Sequence, residues 1–171
     1  MEHGRPSLTV SADRRARLKA PDRFATSPLT TAGADVPGVS GETIIHGNVT
    51  FIRQGDQLLI QASDGSIIDY ASFDIAPGEL VQFLQPGSDA RVLNRILGVG
   101  PSEIHGDLLA NGIVYIVNPA GVIFGNGSVI DVGGIYASSA SLSNEDFLAG
   151  IDQFTGAGGD VVNRGTITAQ Q

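Results

Sequence analysis

The sequence predicts an all-β chain wound into a solenoid, and three observations carry that prediction. Between residues 93 and 140, apolar runs of three to six residues are each closed by Asn-Gly, Asn-Pro-Ala-Gly, Gly-Asn-Gly or Gly-Gly. Turn residues that dense leave no room for a helix of normal length. The runs at 112–117 and 121–125 carry no charge and alternate only in part, as strands do when packing covers more than one face. Finally, residues 129–137 line up with 161–169 in the form V-[IV]-[DN]-x-G-x-I-x-A. A repeated unit that cannot bury its own apolar face is the mark of stacked coils. An open hairpin sandwich fits less well.

Composition agrees with this reading and narrows the function. A chain of 171 residues, 42% hydrophobic, suits one domain with a continuous core. Its 23 glycines stand well above the roughly 7% of average usage, so many residues go to tight turns. With no cysteine, neither a disulfide framework nor a thiolate metal site exists. No apolar run approaches the roughly 20 residues that span a bilayer. Residues 1–38 hold six of the ten Lys and Arg and four of the eighteen Asp and Glu, net +2; the remaining four basic and fourteen acidic residues give −10. A body that acidic repels nucleic-acid phosphates and anionic lipid, and no nucleic acid is expected as a partner.

Taken in order, residues 1–37 are polar and without sustained periodicity, and read as a disordered or loosely attached leader before a folded domain at 38–171. The basic cluster at Arg14, Arg15 and Arg17 reads as a solvated tail rather than a phosphate or membrane patch. Strands are expected at 43–46, 49–53, 57–61 and 66–71, separated by Gly-Asn, Gly-Asp and Asp-Gly turns. Connections of two to five residues fit hairpins and coil corners equally. In 73–86, Leu80, Val81, Phe83 and Leu84 are expected inside, with Gln82 and Gln85 either satisfying backbone at a corner or plainly exposed. Pro119 disfavours the α region for Asn118, and Gly121 can take a positive φ, so this stretch turns a corner. Near the end, Ser143 as N-cap, Asp146 three residues on and Gly150 as a stop predict one or two turns of helix. Phe147, Leu148 and Phe154 are expected to pin that excursion onto the coil surface.

Candidate chemistry is sparse. Asp56, Asp64, Asp69 and Asp74, with His46 and His105, could serve as acids and bases, but each lies beside glycine or in a turn where such residues are favoured on conformational grounds. There is no lysine after Lys19, so an anionic polysaccharide or an enolate would find little positive charge. Residues 156–162 depart from the calcium-binding nonapeptide in offset and do not recur in tandem. Gly98 to Pro101 lacks the lysine and helix of a phosphate loop. No enzyme activity, cofactor or metal site is expected.

Several motifs together carry a family resemblance. Leu-Asn-Arg at 93–95, Ser-x-Ile-x-Gly at 102–106, Ala-Asn-Gly at 110–112, Asn-Pro-Ala-Gly at 118–121 followed by Phe124, and residues 133–150 resemble the haemagglutination-activity domain of two-partner secretion exoproteins. This is the N-terminal domain of filamentous haemagglutinin-like and high-molecular-weight adhesin-like proteins, and the resemblance runs from about residue 36 to 171. It implies a right-handed, single-stranded parallel β-helix, with the first strands as an N-terminal β cap that hides the edge of the coils and the helical excursion outside them. It also implies an Omp85-type (TpsB-type) outer-membrane transporter as partner, whose periplasmic POTRA domains bind the chain before it folds at the cell surface. Strand addition is a reasonable mode for that binding. The residues it points to are Asn94, Arg95, Asn118, Pro119, Gly121 and Phe124; each also has a structural reading, and for Arg95 this is an ion pair or carbonyl cap. One departure is Ala120, where the family usually has a second asparagine. Residues 1–38 contain no apolar segment of the secretory kind, so an export signal is expected to have been cleaved or to lie outside this sequence. The alternative reading is a surface adhesin or structural β-helix that binds host or neighbour-cell carbohydrate or protein directly; a polysaccharide-degrading enzyme is weaker.

Overall fold

The computed structural model describes residues 36–156 and 158–170. The expected leader, with its basic cluster, lies outside the described residues except for Val36 and Pro37; Val36 is fully buried. The first part of the chain builds a closed end: β1 (Val39–Ser40), β2 (Thr43–His46), β3 (Val49–Gln54), β4 (Gln57–Ala62), β5 (Ser66–Tyr70) and β6 (Ser72–Phe73). Here β1 pairs antiparallel with β6, β2 with β5 and β3 with β4. Two coils follow, β7 (Leu80–Leu84), β8 (Arg91–Ile96) and β9 (Ser102–Ile104), then β10 (Asp107–Ala110), β11 (Ile113–Val117) and β12 (Val122–Phe124). The third coil has β13 (Val129–Val132) and β14 (Gly134–Ser138), leaves the spiral as β15 (Ser141–Leu142), α1 (Asn144–Ala149) and β16 (Phe154–Thr155), and returns as β17 (Val161–Asn163). A fourth begins with β18 (Thr166–Ala169).

Stacking of like strands produces three parallel faces. The first sheet runs β18-β13-β10-β7-β4-β3, the second β14-β11-β8-β5-β2 and the third β17-β12-β9. All pairings from β4 and β5 onward within these sheets are parallel. Parallel neighbours need a long return path, which the other two faces of the same coil supply. Register gives the coil length: Leu80 stacks on Asp107, Asp107 on Val129 and Val129 on Thr166, so the steps are 27, 22 and 37 residues. The extra length of the third is the excursion.

Alternation sorts each strand into an inside and an outside. Val81, Phe83, Leu108, Ile130, Val92, Val114, Ile116, Val122 and Phe124 point inward and share one core, each no more than 2% exposed. This corrects the expectation for 80–84: Val81 and Phe83 are inside, whereas Leu80 and Leu84 project outward, where Leu80 joins Leu59 and Leu109 in a separate cluster. Gln85 does hold a corner, its Nε2 donating to the carbonyls of Ala90 at 2.8 Å and Ile113 at 3.2 Å. Gln82 is instead a mid-strand, buried outward residue.

The sequence repeat is real but is not the stacking register. Thr166 to Ala169 stack on Val129 to Val132, while Val161 to Asn163 stack on Val122 to Phe124. The shared pattern recurs because every strand, polar corner and next strand needs the same residue types. The predicted helix is present: Ser143 caps α1 by accepting from the Asp146 N–H, and Gly150 ends it at φ +78°. Phe147 is fully buried and Phe154 part-buried, but Leu148 is 44% exposed.

Candidate recognition site

The six residues singled out by sequence do not converge on one surface. Asn94 follows Val92 in the inward register of β8 and is fully buried. Its Oδ1 accepts from the Tyr70 hydroxyl at 2.9 Å, and its Nδ2 donates to the Tyr115 carbonyl at 3.0 Å, tying three neighbouring strands of the second sheet, β5, β8 and β11, together. Burial, then the Glu42 carboxylate, holds the Tyr70 phenol well above its ordinary pKa, so it is a neutral donor at physiological pH. Arg95 points the other way. Its Nε meets Asp69 at 2.8 Å and its Nη1 donates to Asn144 Oδ1 at 2.6 Å.

The Asn-Pro-Ala-Gly corner is a tight turn built around Asn118, which is fully buried. Its Oδ1 accepts from the Ala120 N–H at 2.9 Å, its carbonyl from the Gly121 N–H at 2.8 Å, and its Nδ2 donates to the Gly100 carbonyl and Ser102 Oγ, both at 3.1 Å. The side chain therefore closes its own turn and bonds the corner of the coil before. Gly121 adopts φ +119°, and a Cβ there would approach the Asp160 carbonyl oxygen to 2.6 Å. A Cβ at Gly158 would come within 2.0 Å of the Pro119 oxygen, so this corner is covered by backbone-to-backbone stacking that only glycine permits. Phe124 lies in the core at 2% exposure. Of the six, Pro119 is exposed and Arg95 is part-buried; the other four are buried.

The catalytic candidates are mostly engaged in structure. Asp64 accepts from the Arg91 N–H, Asp69 pairs with Arg95, and His46 contacts the Gly65 carbonyl. The turn reading fails for Asp69, which lies within β5. Asp74 and His105 do line one recess of about 330 Å³ with Glu79 and Glu103. There, however, Asp74 accepts from the Glu103 N–H and Glu79 from the Ala76 N–H. Among the described residues no group of three or more His, Asp and Glu could hold a metal ion, and no helix is long and apolar enough to cross a membrane.

Sequence reasoning missed the role of Tyr115. On the outer face of the second sheet it stacks on Tyr136 at 4.3 Å between centroids, meets Phe147 edge-on at 5.1 Å and donates to Asp152 at 2.8 Å. Its phenol is raised by burial; Arg91 lowers it and Asp152 raises it again. Pairing of an outward aromatic in one coil with one in register on the next (Tyr115 on Tyr136) is the signal that could have found it.

Comparison with known proteins places the geometry. A family model described as "TPS secretion domain" matches residues 40–171. Two proteins of Haemophilus influenzae, each described as a heme/hemopexin-binding protein, are similar. One is 40% identical over 113 residues, covering 65% of this chain and 12% of its own; the other, from strain Rd, is 35% identical over 118 residues, covering 68% and 13%. The match thus spans about an eighth of those relatives' length. The crystal structure of the HMW1 secretion domain from Haemophilus influenzae superposes with a TM-score of 0.75 at 34% identity, covering 77% of this chain and 37% of that one.

Proposed function

The chain belongs to the TPS secretion domain family, and on that premise we propose that it is the part of a secreted exoprotein that an Omp85-type outer-membrane transporter recognises, through that partner's periplasmic POTRA domains. The observation that carries the mode of recognition is burial. Asn94, Asn118, Gly121 and Phe124 are enclosed, so a partner reaches these residues only while the chain is extended. On the folded domain Pro119 and, in part, Arg95 are within reach. The transporter therefore meets an unfolded strand-forming segment, and outside the membrane the same residues then build the interior (Asn94 and Phe124) and a corner (Asn118 and Gly121) of the coils.

Topology supports the second half of that sequence. At the N-terminal end, antiparallel β2 and β3 close the second and first sheets. At the other, β14, β17 and β18 are the outermost strands among the described residues, and such edges template further parallel strands. The function is recognition without catalysis: the chain is bound on the periplasmic side of the outer membrane and folds after crossing it. Heme and hemopexin binding is named for relatives of which this segment matches an eighth; we assign it to no residue here.

The test pairs export with stability. Pro119→Ala leaves its carbonyl to accept from Gly159 and is expected to reduce export, and binding of the urea-unfolded chain to the transporter's periplasmic domains, without moving the urea midpoint. Export and binding equal to the parent chain would remove Pro119 from the recognised set. Failure of those periplasmic domains to bind any form of the parent chain would remove the function.

A further inference from the structure

Three dipeptides in the chain can undergo attack of the main chain on a side chain: Asp64-Gly65, Asn111-Gly112 and Asn126-Gly127. Glycine in the second place leaves its amide nitrogen unshielded, so that nitrogen can reach the side-chain carbonyl carbon of the residue before it once the peptide between them turns. The fold treats the three sites differently. At Asp64-Gly65 the carboxylate accepts from the Arg91 N–H at 2.9 Å, and the Gly65 N–H itself donates to the Arg91 carbonyl at 2.8 Å. The nucleophile is engaged. At Asn111-Gly112 the side chain is pinned at both ends, Oδ1 accepting from the Gln85 N–H at 2.8 Å and Nδ2 donating to the Gln85 carbonyl at 2.7 Å. Gly112 is buried, its carbonyl accepts from the Gly133 N–H at 2.9 Å, and a Cβ there would lie 2.6 Å from the Ala90 carbonyl oxygen. That peptide has no room to turn.

Asn126-Gly127 is built the other way. Both residues are exposed and form the middle of a turn between β12 and β13, closed by the Ser128 N–H on the Gly125 carbonyl at 3.1 Å. Gly127 stands at φ +83°, as the second central residue of a type II turn does, and a Cβ there would meet nothing within 4 Å. Among the described residues no hydrogen bond holds the Asn126 side chain or the Gly127 N–H. The ends of the turn, by contrast, are fixed. Gly125 donates to the Ile104 carbonyl at 2.7 Å, Ser128 Oγ donates to the Gly125 carbonyl at 2.8 Å, and the Ser128 carbonyl accepts from Thr166 at 3.0 Å. Types I and II differ by a flip of the central peptide, and glycine at 127 tolerates both. The coil stack therefore clamps the two ends of this corner and leaves its central peptide able to rotate.

We propose that Asn126 is a site of spontaneous modification selected by the fold, at which the Gly127 nitrogen closes on the Asn126 side chain and the amide is converted to aspartate and isoaspartate. A bond forms between the Gly127 nitrogen and Asn126 Cγ, and the side-chain nitrogen leaves as ammonia, taking the proton from Gly127. Water then opens the resulting succinimide at either carbonyl. Both products add a negative charge to a body that is already acidic. Isoaspartate also routes the main chain through the side-chain carbon and lengthens the corner by a methylene group. In an unfolded chain Asn111 loses its ties to Gln85 and is as open to attack as Asn126, so conversion at 126 without conversion at 111 marks a chain that has been folded.

The test uses the parent chain, incubated folded and in urea in the same mildly alkaline buffer, then digested at acid pH and mapped by mass spectrometry with fragmentation that identifies isoaspartate. Circular dichroism confirms the state of each sample. In the folded sample Asn126 is expected to convert at least tenfold faster than Asn111, with isoaspartate among its products and none formed at Asp64. In urea the two asparagines should convert at comparable rates. Similar rates at 126 and 111 in the folded chain would overturn the proposal. So would a preference for 126 that persists unchanged in urea, which would belong to the neighbouring residues rather than to the fold. Aspartate without isoaspartate at 126 would mean direct hydrolysis and would refute ring closure by Gly127.

Discussion

Replacing Asn94 with alanine separates the fold from the recognition it serves. The change removes the acceptor of the Tyr70 hydroxyl and the donor to the Tyr115 carbonyl, two hydrogen bonds of 2.9 and 3.0 Å with all three residues at most 1% exposed. Each orphaned buried group costs about 1–3 kcal/mol. The pair, with the small void left behind, should therefore cost about 2–5 kcal/mol out of the roughly 5–15 kcal/mol that holds a domain folded. Urea unfolding followed by far-ultraviolet circular dichroism reads this as a lower midpoint at unchanged slope. Asn94→Leu combined with Tyr70→Phe should recover about 1 kcal/mol relative to Asn94→Leu alone, because the phenol is no longer left without an acceptor. A loss under about 0.5 kcal/mol for Asn94→Ala would refute the claim that this side chain serves the interior. A variant that stays as stable as the parent but is not exported would assign Asn94 to the transporter instead.

Three further outcomes test other parts of the structure. Gly158→Ala drives a methyl to within 2.0 Å of the Pro119 oxygen, so β17 should lose its seat on β12; proteolysis after 156 should speed up, and a parental digestion rate would show that this corner opens freely. Ala120→Asn should move the urea midpoint by less than about 0.5 kcal/mol, since the turn is closed by the Ala120 main-chain N–H on Asn118; a large change would mean that the family's second asparagine does structural work. For pH, burial raises both the Tyr70 and Tyr115 phenols in the folded state, so the folded chain keeps protons that the unfolded chain sheds near pH 10. That stability is fully present below about pH 10 and is lost as pH rises from there toward the folded values. The urea midpoint should fall between pH 9 and pH 11 as absorbance at 295 nm rises; a flat midpoint over that interval would refute the burial of these hydroxyls.

The fold was legible because turn chemistry is local. Ser143 and Gly150 bound a helix by side-chain and φ preferences that any context respects, and the Asn118 to Gly121 corner follows from what proline and glycine can do with φ. The inside and outside of residues 80–84 were not legible: Leu80 and Leu84 are as apolar as Val81 and Phe83, and only the pleat separates them. Nor was the stacking register, because 129–137 and 161–169 are alike for reasons of corner chemistry while ladder hydrogen bonds place them a face apart. The residues proposed for recognition were picked out by family motif, yet their burial depends on which coil lies above and below, and that is a property of contacts far apart in sequence. The same holds for Tyr115, whose partners Phe147 and Asp152 belong to the excursion.

The arginines show how the parts that are not coil are attached to it. A parallel ladder holds its coils through main-chain bonds and an apolar interior, and needs no charge for either. The cap and the excursion lack that continuity. Arg53 on β3 donates to the Val39 carbonyl and pairs with Glu42, fastening the cap strands, while Arg91 and Arg95 fasten the excursion. Three of the four cations after residue 38 are thus placed where an element must be tied down by side chains, on a body otherwise acidic. Guanidinium groups suit that task because one planar fork can bond a carbonyl and a carboxylate, or rest on a ring, at once. It follows that raising ionic strength, which weakens partly exposed pairs and leaves ladders intact, should increase hydrogen exchange in the excursion and at β1 before it reaches β8, β11 or β13. Uniform exchange across all five would contradict this division of labour.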